Sequence, residues 1–162
     1  MRDSDFERLY ADHAQALFGF LAYRTGDRGL AEDLTGDAFE RALRSRRRYD
    51  PAKASAKTWL YAIALNCLSD QRRRAGAEAR ALDRATPGTA PVSADAGLGG
   101  VEDRGVLGPA LARLSEEERE TIALRYGGEL TAPEMAELLG EKLTTVEGRL
   151  YRALRKLRDE LG

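Results

Sequence analysis

The stretch TAPEMAELLGEKLTTVEGRLYRALRKLRDEL, residues 131–161, decides the fold. Thr131 and Glu134 fit a capping box, in which a hydroxyl and a carboxylate three places on satisfy the first free amides of a helix. Apolar residues then run to Leu139, and Gly140 supplies a stop. Thr144 and Glu147 repeat the capping pattern, and behind them Val146, Leu150, Leu154, Leu157 and Leu161 recur at helical spacing. The spacing predicts a helix over 131–139, a turn over 140–143 and a second helix over 144–161, which is helix-turn-helix spacing. Arg149, Arg152, Arg155, Lys156 and Arg158 lie away from the apolar stripe. That basic face is either ordinary solvated surface or a surface for a phosphate backbone. Glu147 has two readings, a cap at the third helical position or a DNA-facing acid that repels phosphate or accepts from a cytosine.

Working outward, Ser115 and Glu118 make a third capping box, and Gly127-Gly128 a further stop. Before them, 86–108 is rich in Gly, Pro, Ala and Ser and reads as a flexible linker between domains at 1–85 and 109–162. The N-terminal block predicts three helices. Phe6, Leu9, Tyr10, His13, Leu17, Phe18 and Leu21 trace the first, broken at Thr25-Gly26-Asp27. The second runs from about Arg28 into Arg46, Arg47 and Arg48 and is ended by Tyr49-Asp50-Pro51. The third begins near Ser55 and is apolar on most sides through TWLYAIALNCL. The fold class expected is therefore all-α, two small helical domains joined by the linker, the C-terminal one a helix-turn-helix.

The formal charge of −1 hides an uneven distribution. Residues 41–75 hold ten Lys/Arg against Asp50 and Asp70, net +8, whereas 1–40 hold four Arg against nine acids, net −5. One cationic block in an otherwise acidic chain suggests one surface for a polyanion and others for protein or solvent. A lone Cys67 and a lone His13 exclude an internal disulfide and a Cys/His zinc cluster. Cys67 reads as a small buried hydrophobe and His13 as a packed or surface residue. Neither a Gly-rich phosphate loop nor a nucleophile elbow is found, so no enzyme, cofactor or metal site is expected. The acidic start has no apolar signal core, and no apolar run reaches the roughly 20 residues of a membrane span, so the expected location is the cytoplasm.

Within the cationic block, Arg46, Arg47, Arg48, Lys53 and Lys57 cluster around the loop between helices two and three, with Tyr49, Trp59 and Tyr61 interleaved. Such a mixture holds single-stranded DNA, cations tracking phosphates and aromatics stacking on bases. Trp59 opens an apolar helix and reads as core, leaving Tyr49 and Tyr61 as the stacking candidates. Arg72 and Arg73 extend the block. On the second helix Asp33, Asp37 and Glu40 share one face. On residues alone that face is solvated, with Asp37–Arg41 and Glu40–Arg44 pairs worth a few tenths of a kcal/mol each.

The segments AEDLTGDAFERALR, WLYAIALNCLSDQRRR, LSEEERETIALRYGGELTAPEMAELLG and TTVEGRLYRALRKLRDEL, in this order and separation, resemble a bacterial RNA polymerase sigma factor of the compact extracytoplasmic-function group in the sigma-70 family. The resemblance covers nearly everything outside 86–108. It implies that 1–85 is sigma region two, binding core polymerase and engaging and opening the minus-ten element. It implies that 109–162 is region four, holding the minus-thirty-five element and touching the polymerase flap.

By that resemblance Asp33, Asp37, Glu40 and Arg41 dock on the polymerase clamp. Arg46, Arg47, Arg48, Tyr49, Lys53, Lys57, Tyr61, Asn66, Arg72 and Arg73 serve the minus-ten DNA, and Thr144, Thr145, Arg149, Arg152 and Arg155 the minus-thirty-five duplex. The partners implied are core RNA polymerase and promoter DNA, duplex and single-stranded, and an anti-sigma factor is common in the group. The chain departs from the family pattern at Ala62, Leu65 and Glu147, where basic residues are usual, and at Glu141, where an aliphatic is usual. Rival readings are a stand-alone helix-turn-helix regulator and a sigma-like adaptor that does not open DNA.

Overall fold

A computed structural model describes residues 1–85 and 107–161 as helices α1 (Asp3–Thr25), α2 (Arg28–Ser45), α3 (Ala56–Ala85), α4 (Leu107–Ala112), α5 (Glu116–Ile122), α6 (Ala132–Leu139) and α7 (Leu143–Leu161). No strand occurs among the described residues. Of the linker expected over 86–108, all but the last two residues lie outside the described ones, and α4 begins at Leu107.

Local chemistry sets the boundaries. Gly26 ends α1 in the left-handed conformation, φ 68°, its N–H bonded to the Ala22 carbonyl at 2.9 Å. The Asp27 carboxylate then caps α2 by accepting the Leu30 N–H at 3.1 Å. Helix α2 stops at Ser45, short of the expected arginines, which form a turn instead. Ser55 opens α3 by accepting the Thr58 N–H at 3.1 Å. At 30 residues α3 is about 45 Å long, and none of its residues after Leu68 joins a buried cluster among the described residues. Both capping boxes at Ser115/Glu118 and Thr131/Glu134 form. Helix α5 passes directly into a π-helical turn, Ala123–Gly127, before the chain reaches Glu129 at φ 59°.

The third expected box does not form. Helix α7 starts at Leu143, and the Thr145 and Val146 N–H groups both bond to the Lys142 carbonyl, at 3.0 and 3.1 Å. Glu147 is therefore the fifth helical residue, outside the first turn, and is exposed. The capping reading of Glu147 is overturned because the backbone of Lys142 begins the helix before Thr144 can.

The two helix groups share one core. Leu17, Phe20 and Leu21 of α1, Leu34 and Ala38 of α2, and Leu60, Tyr61 and Ala64 of α3 are buried in the same cluster as Leu124, Leu130, Met135 and Val146. A smaller cluster gathers Leu111, Leu114, Ile122 and Ala153. Backbone meets backbone at the junction: a Cβ on Gly19 would stand 3.0 Å from the Gly127 carbonyl oxygen. The Tyr61 hydroxyl donates to the Gly128 carbonyl at 2.9 Å, buried.

Gly19→Val forces branched carbons against the Gly127 backbone and is expected to cost about 1–3 kcal/mol of stability. Gly36→Ala is the control, since a Cβ there meets nothing within 4 Å, and it should stabilise by roughly 0.5–1 kcal/mol through helix propensity. Urea melts of both check the packing; similar shifts in the two would show that the Gly19 contact carries no constraint.

Candidate nucleic-acid interface

The turn and loop after α2 hold the centre of the cationic block. Arg47, Arg48 and Lys53 are exposed. Arg46 folds back, its guanidinium donating to the Leu43 carbonyl at 2.8 Å and pairing with Asp3 at 3.2 Å. It thus closes the end of α2. The Tyr49 hydroxyl donates to the Ala54 carbonyl at 2.9 Å, and its ring lies 5.0 Å from that of Trp59. Trp59 is half-buried, at the loop's edge.

Tyr61 occupies the place that sequence reading gave to Trp59. It is fully buried, and burial pushes its phenol well above the ordinary range. In this arrangement it cannot stack on a base. The apolar periodicity of α3 is ambiguous between the two rings; the partner that decides, Gly128, lies 67 positions away.

Lys57 is likewise engaged. Its ammonium donates to the Glu129 carbonyl and to the Glu134 carboxylate, each at 3.2 Å, and the side chain is 20% exposed. Beside it the Ser55 N–H donates to Glu137 at 3.3 Å. His13 is half-buried, its pKa lowered by burial and by the nearby Lys57 charge. Further along α3, Ala62, Asn66, Ser69 and Arg73 line one exposed stripe. Arg73 pairs with Asp70. Arg72 approaches Glu116 at 3.8 Å, and Glu116 also pairs with Arg24 at 3.0 Å and Arg119 at 2.9 Å. Cys67 is buried, and burial pushes its thiol up.

On α2, Asp33, Asp37 and Glu40 are exposed along one face, and Glu40 pairs with Arg44 as expected. Arg41 does not pair with Asp37. Its guanidinium donates to Asp70 of α3 at 3.1 Å, tying the two helices together.

On α7 the outward residues include Thr144, Thr145, Glu147, Tyr151, Arg152, Arg155, Lys156 and Arg158. Arg152 and Arg155 make no ion pair among the described residues. Lys156 instead donates to Glu118 at 2.7 Å. Arg149, expected on the DNA face, is 12% exposed and donates to both oxygens of Glu141, at 2.9 and 2.6 Å. Exposed Tyr151 went unnoticed in the sequence because an aromatic beside an apolar stripe reads as core; its place one step off that stripe is the signal that would have found it.

A helix-turn-helix packed on a three-helix unit, with cations exposed on both, defines a DNA-binding class of protein. The family models for Sigma-70 region 2 and Sigma-70 region 4 match residues 9–78 and 105–157. The ECF RNA polymerase sigma factor SigL of Mycobacterium tuberculosis is 32% identical over 157 residues, 95% of this chain and 89% of that protein. The RNA polymerase sigma factor CarQ of Myxococcus xanthus is 35% identical over 161 residues, 97% and 89%. Among solved structures, the sigma factor RpoE in complex with the anti-sigma factor NepR from Bartonella quintana superposes with a TM-score of 0.73 at 25% identity, covering 98% of this chain and 97% of that one. CnrH in complex with the cytosolic domain of CnrY gives 0.62 at 27%, covering 98% and 88%. The chain belongs to the extracytoplasmic-function group of sigma-70 family sigma factors, and its role is that of a transcription initiation factor. Among the described residues no helix is long and apolar enough to cross a membrane.

Two outcomes are expected from this geometry. Glu147→Ala should leave the melting temperature nearly unchanged, whereas Glu118→Ala, which removes a working box and the Lys156 partner, should cost about 0.5–2 kcal/mol; thermal melts of the pair check it.

The second concerns pH. The Arg24 guanidinium holds Glu116 below the ordinary carboxylate value, and Arg149 does the same to Glu141. Burial pushes Glu134 up, but bonds from the Thr131 backbone and Lys57 outweigh it and leave it lowered. Stability from lowered acids is complete above the unfolded carboxylate value and disappears as pH falls through the lowered ones. Melting temperature should therefore drop as pH descends from about 5. The drop should be shallower in Glu134→Gln/Glu141→Gln, and an identical acid limb in that variant would remove these pairs as its source.

Proposed function

We propose that the chain binds core RNA polymerase, directs it to specific promoters and takes part in opening the DNA strands there. Residues 1–85 act as region two and 109–162 as region four. The observation that carries this reading is the division of charge: exposed cations on both helix groups, and an exposed acidic face, Asp33, Asp37 and Glu40, on α2. Acids docked on the polymerase clamp leave the cations for DNA. Thr144, Thr145, Arg152 and Arg155 meet the minus-thirty-five duplex, mostly at phosphates. Arg47, Arg48, Lys53, Tyr49 and Asn66 meet the minus-ten strand. Strand capture by Lys57 or Tyr61 requires the helix groups to part, because Gly128, Glu129 and Glu134 hold both. The chain also takes an anti-sigma partner, a reading supported by its likeness to RpoE in complex with the anti-sigma factor NepR and to CnrH in complex with the cytosolic domain of CnrY. The polymerase flap is the second contact, through region four.

Run-off transcription with purified core polymerase on a genomic library, with start sites mapped, tests the function directly. A common upstream motif at the starts is expected; transcription no different from core alone would refute it. Two variants separate the surfaces. Asp33→Lys/Asp37→Lys should weaken polymerase binding by about tenfold or more, or about 1.4 kcal/mol. Arg47→Ala/Arg48→Ala should leave that binding unchanged and reduce permanganate-detected strand opening.

A further inference from the structure

Arg149 and Glu141 form the one two-pronged ion pair among the described residues of the helix-turn-helix. Its setting makes it more than a surface pair. Glu141 follows Gly140, whose backbone is left-handed at φ 65°, and the Glu141 N–H bonds to the Ala136 carbonyl at 3.0 Å. The acid's backbone is thus fixed to the end of α6. Arg149 stands in the second turn of α7, and its side chain is 12% exposed against 28% for Glu141. The Arg149 Nε also lies 3.9 Å from Glu117 of α5. One guanidinium therefore faces an acid on the turn and another on α5, while belonging to α7.

Both carboxylate oxygens of Glu141 are taken by this guanidinium, in the planar fork geometry that only arginine offers. The pair is neutral as a unit. Two of the guanidinium's five N–H donors are committed to Glu141, and at 12% exposure the side chain offers a phosphate little access to the others.

We infer that Glu141 is a positioning residue that determines how α7 meets duplex DNA: it pins Arg149 to the turn, so that Arg149 braces the angle between α6 and α7 and contributes no phosphate contact. This rests on the reading of α7 as the duplex-binding helix. The cations that track the backbone from this helix are then Arg152 and Arg155. The base edges are met by the outward residues of its first two turns, Thr144, Thr145 and Glu147. Glu141 thereby sets affinity and sequence preference without touching DNA.

The test is the salt dependence of binding to a random-sequence DNA duplex by the full chain, alongside thermal melts, for the unchanged protein and for E141A, R149A and E141A/R149A. R149A should melt lower yet keep the slope of log affinity against log salt. E141A frees the guanidinium and should steepen the slope by about 0.9, one added phosphate. That is about a 3.5-fold greater loss of affinity between roughly 50 and 200 mM salt. Adding R149A to E141A should return the slope to its starting value, which a merely structural brace would not do. A slope lowered by about 0.9 in R149A alone would make Arg149 a direct phosphate ligand and overturn the inference. So would an unchanged slope in E141A, and that comparison decides the matter if R149A does not fold. Failure of the transcription role is read separately, from the unchanged chain with polymerase.

Discussion

Gly19 and Gly127 let two backbones touch, and the junction of the helix groups depends on that contact. A side chain at either position would hold α1 off the π-helical turn after α5. With the turn seated, the Gly128 carbonyl comes within reach of the Tyr61 hydroxyl. The hydroxyl is then satisfied, and the ring can be buried without an orphaned donor. Leu124, Leu130, Met135 and Val146 follow the turn into the same cluster as Phe20 and Leu60. The wide π turn matters here because it carries the chain out of α5 and into the glycine pair in five residues.

Electrostatics trims this junction at its rim. The strongly cationic segment of the sequence would by itself bring repulsion, yet acids of the C-terminal group stand against the cations at the junction. Lys57 meets Glu134, and Arg24 and Arg72 meet Glu116. Arg46 and Arg41 are taken within the N-terminal group, by Asp3 and Asp70. Among the cations that stay outward are the turn at Arg47 and Arg48 with Lys53, and the row at Arg152, Arg155 and Arg158. The net charge of −1 is thus a poor guide to the surface, on which an acidic face of α2 and basic regions of both helix groups are distinct.

Helix order, six of the seven helices and most boundaries were legible in the sequence because they rest on local chemistry; α4, which begins within the expected linker, was not. Two of three capping boxes formed where Ser115 and Thr131 had no rival for the first free amides. Thr144 had one, the Lys142 carbonyl, and a pattern of residue types does not register a competing backbone group. The rest was illegible where the deciding partner is distant. Tyr61 and Trp59 look alike in a helical period until Gly128 is placed beside one of them. Arg149 looks like its neighbours Arg152 and Arg155 until the turn folds Glu141 under it. Arg41 has Asp37 at ideal helical spacing and still prefers Asp70, because that acid is fixed on the neighbouring helix. The acidic face of α2 and the outward threonines of α7 stand where periodicity put them.

The groups that hold the junction respond to different agents. The Lys57 contacts are polar and partly exposed, so their Coulomb energy is modest and screened by salt, and a phosphate could replace the Glu134 carboxylate as the lysine's partner. Tyr61 is held by burial and by one internal hydrogen bond, and nothing in a DNA backbone substitutes for either. Loosening by ionic competition alone would therefore expose the lysine and leave the ring in place. Full separation of the helix groups has to replace apolar contacts of Leu124, Leu130, Met135 and Val146 with other apolar contacts, because water is a costly alternative for that surface. The agent best suited to part them is consequently a protein surface, presenting both acids or cations for the rim and apolar side chains for the core. A nucleic acid acting first would meet only the rim. Binding to a large protein before DNA is thus the order that the chemistry of this junction favours.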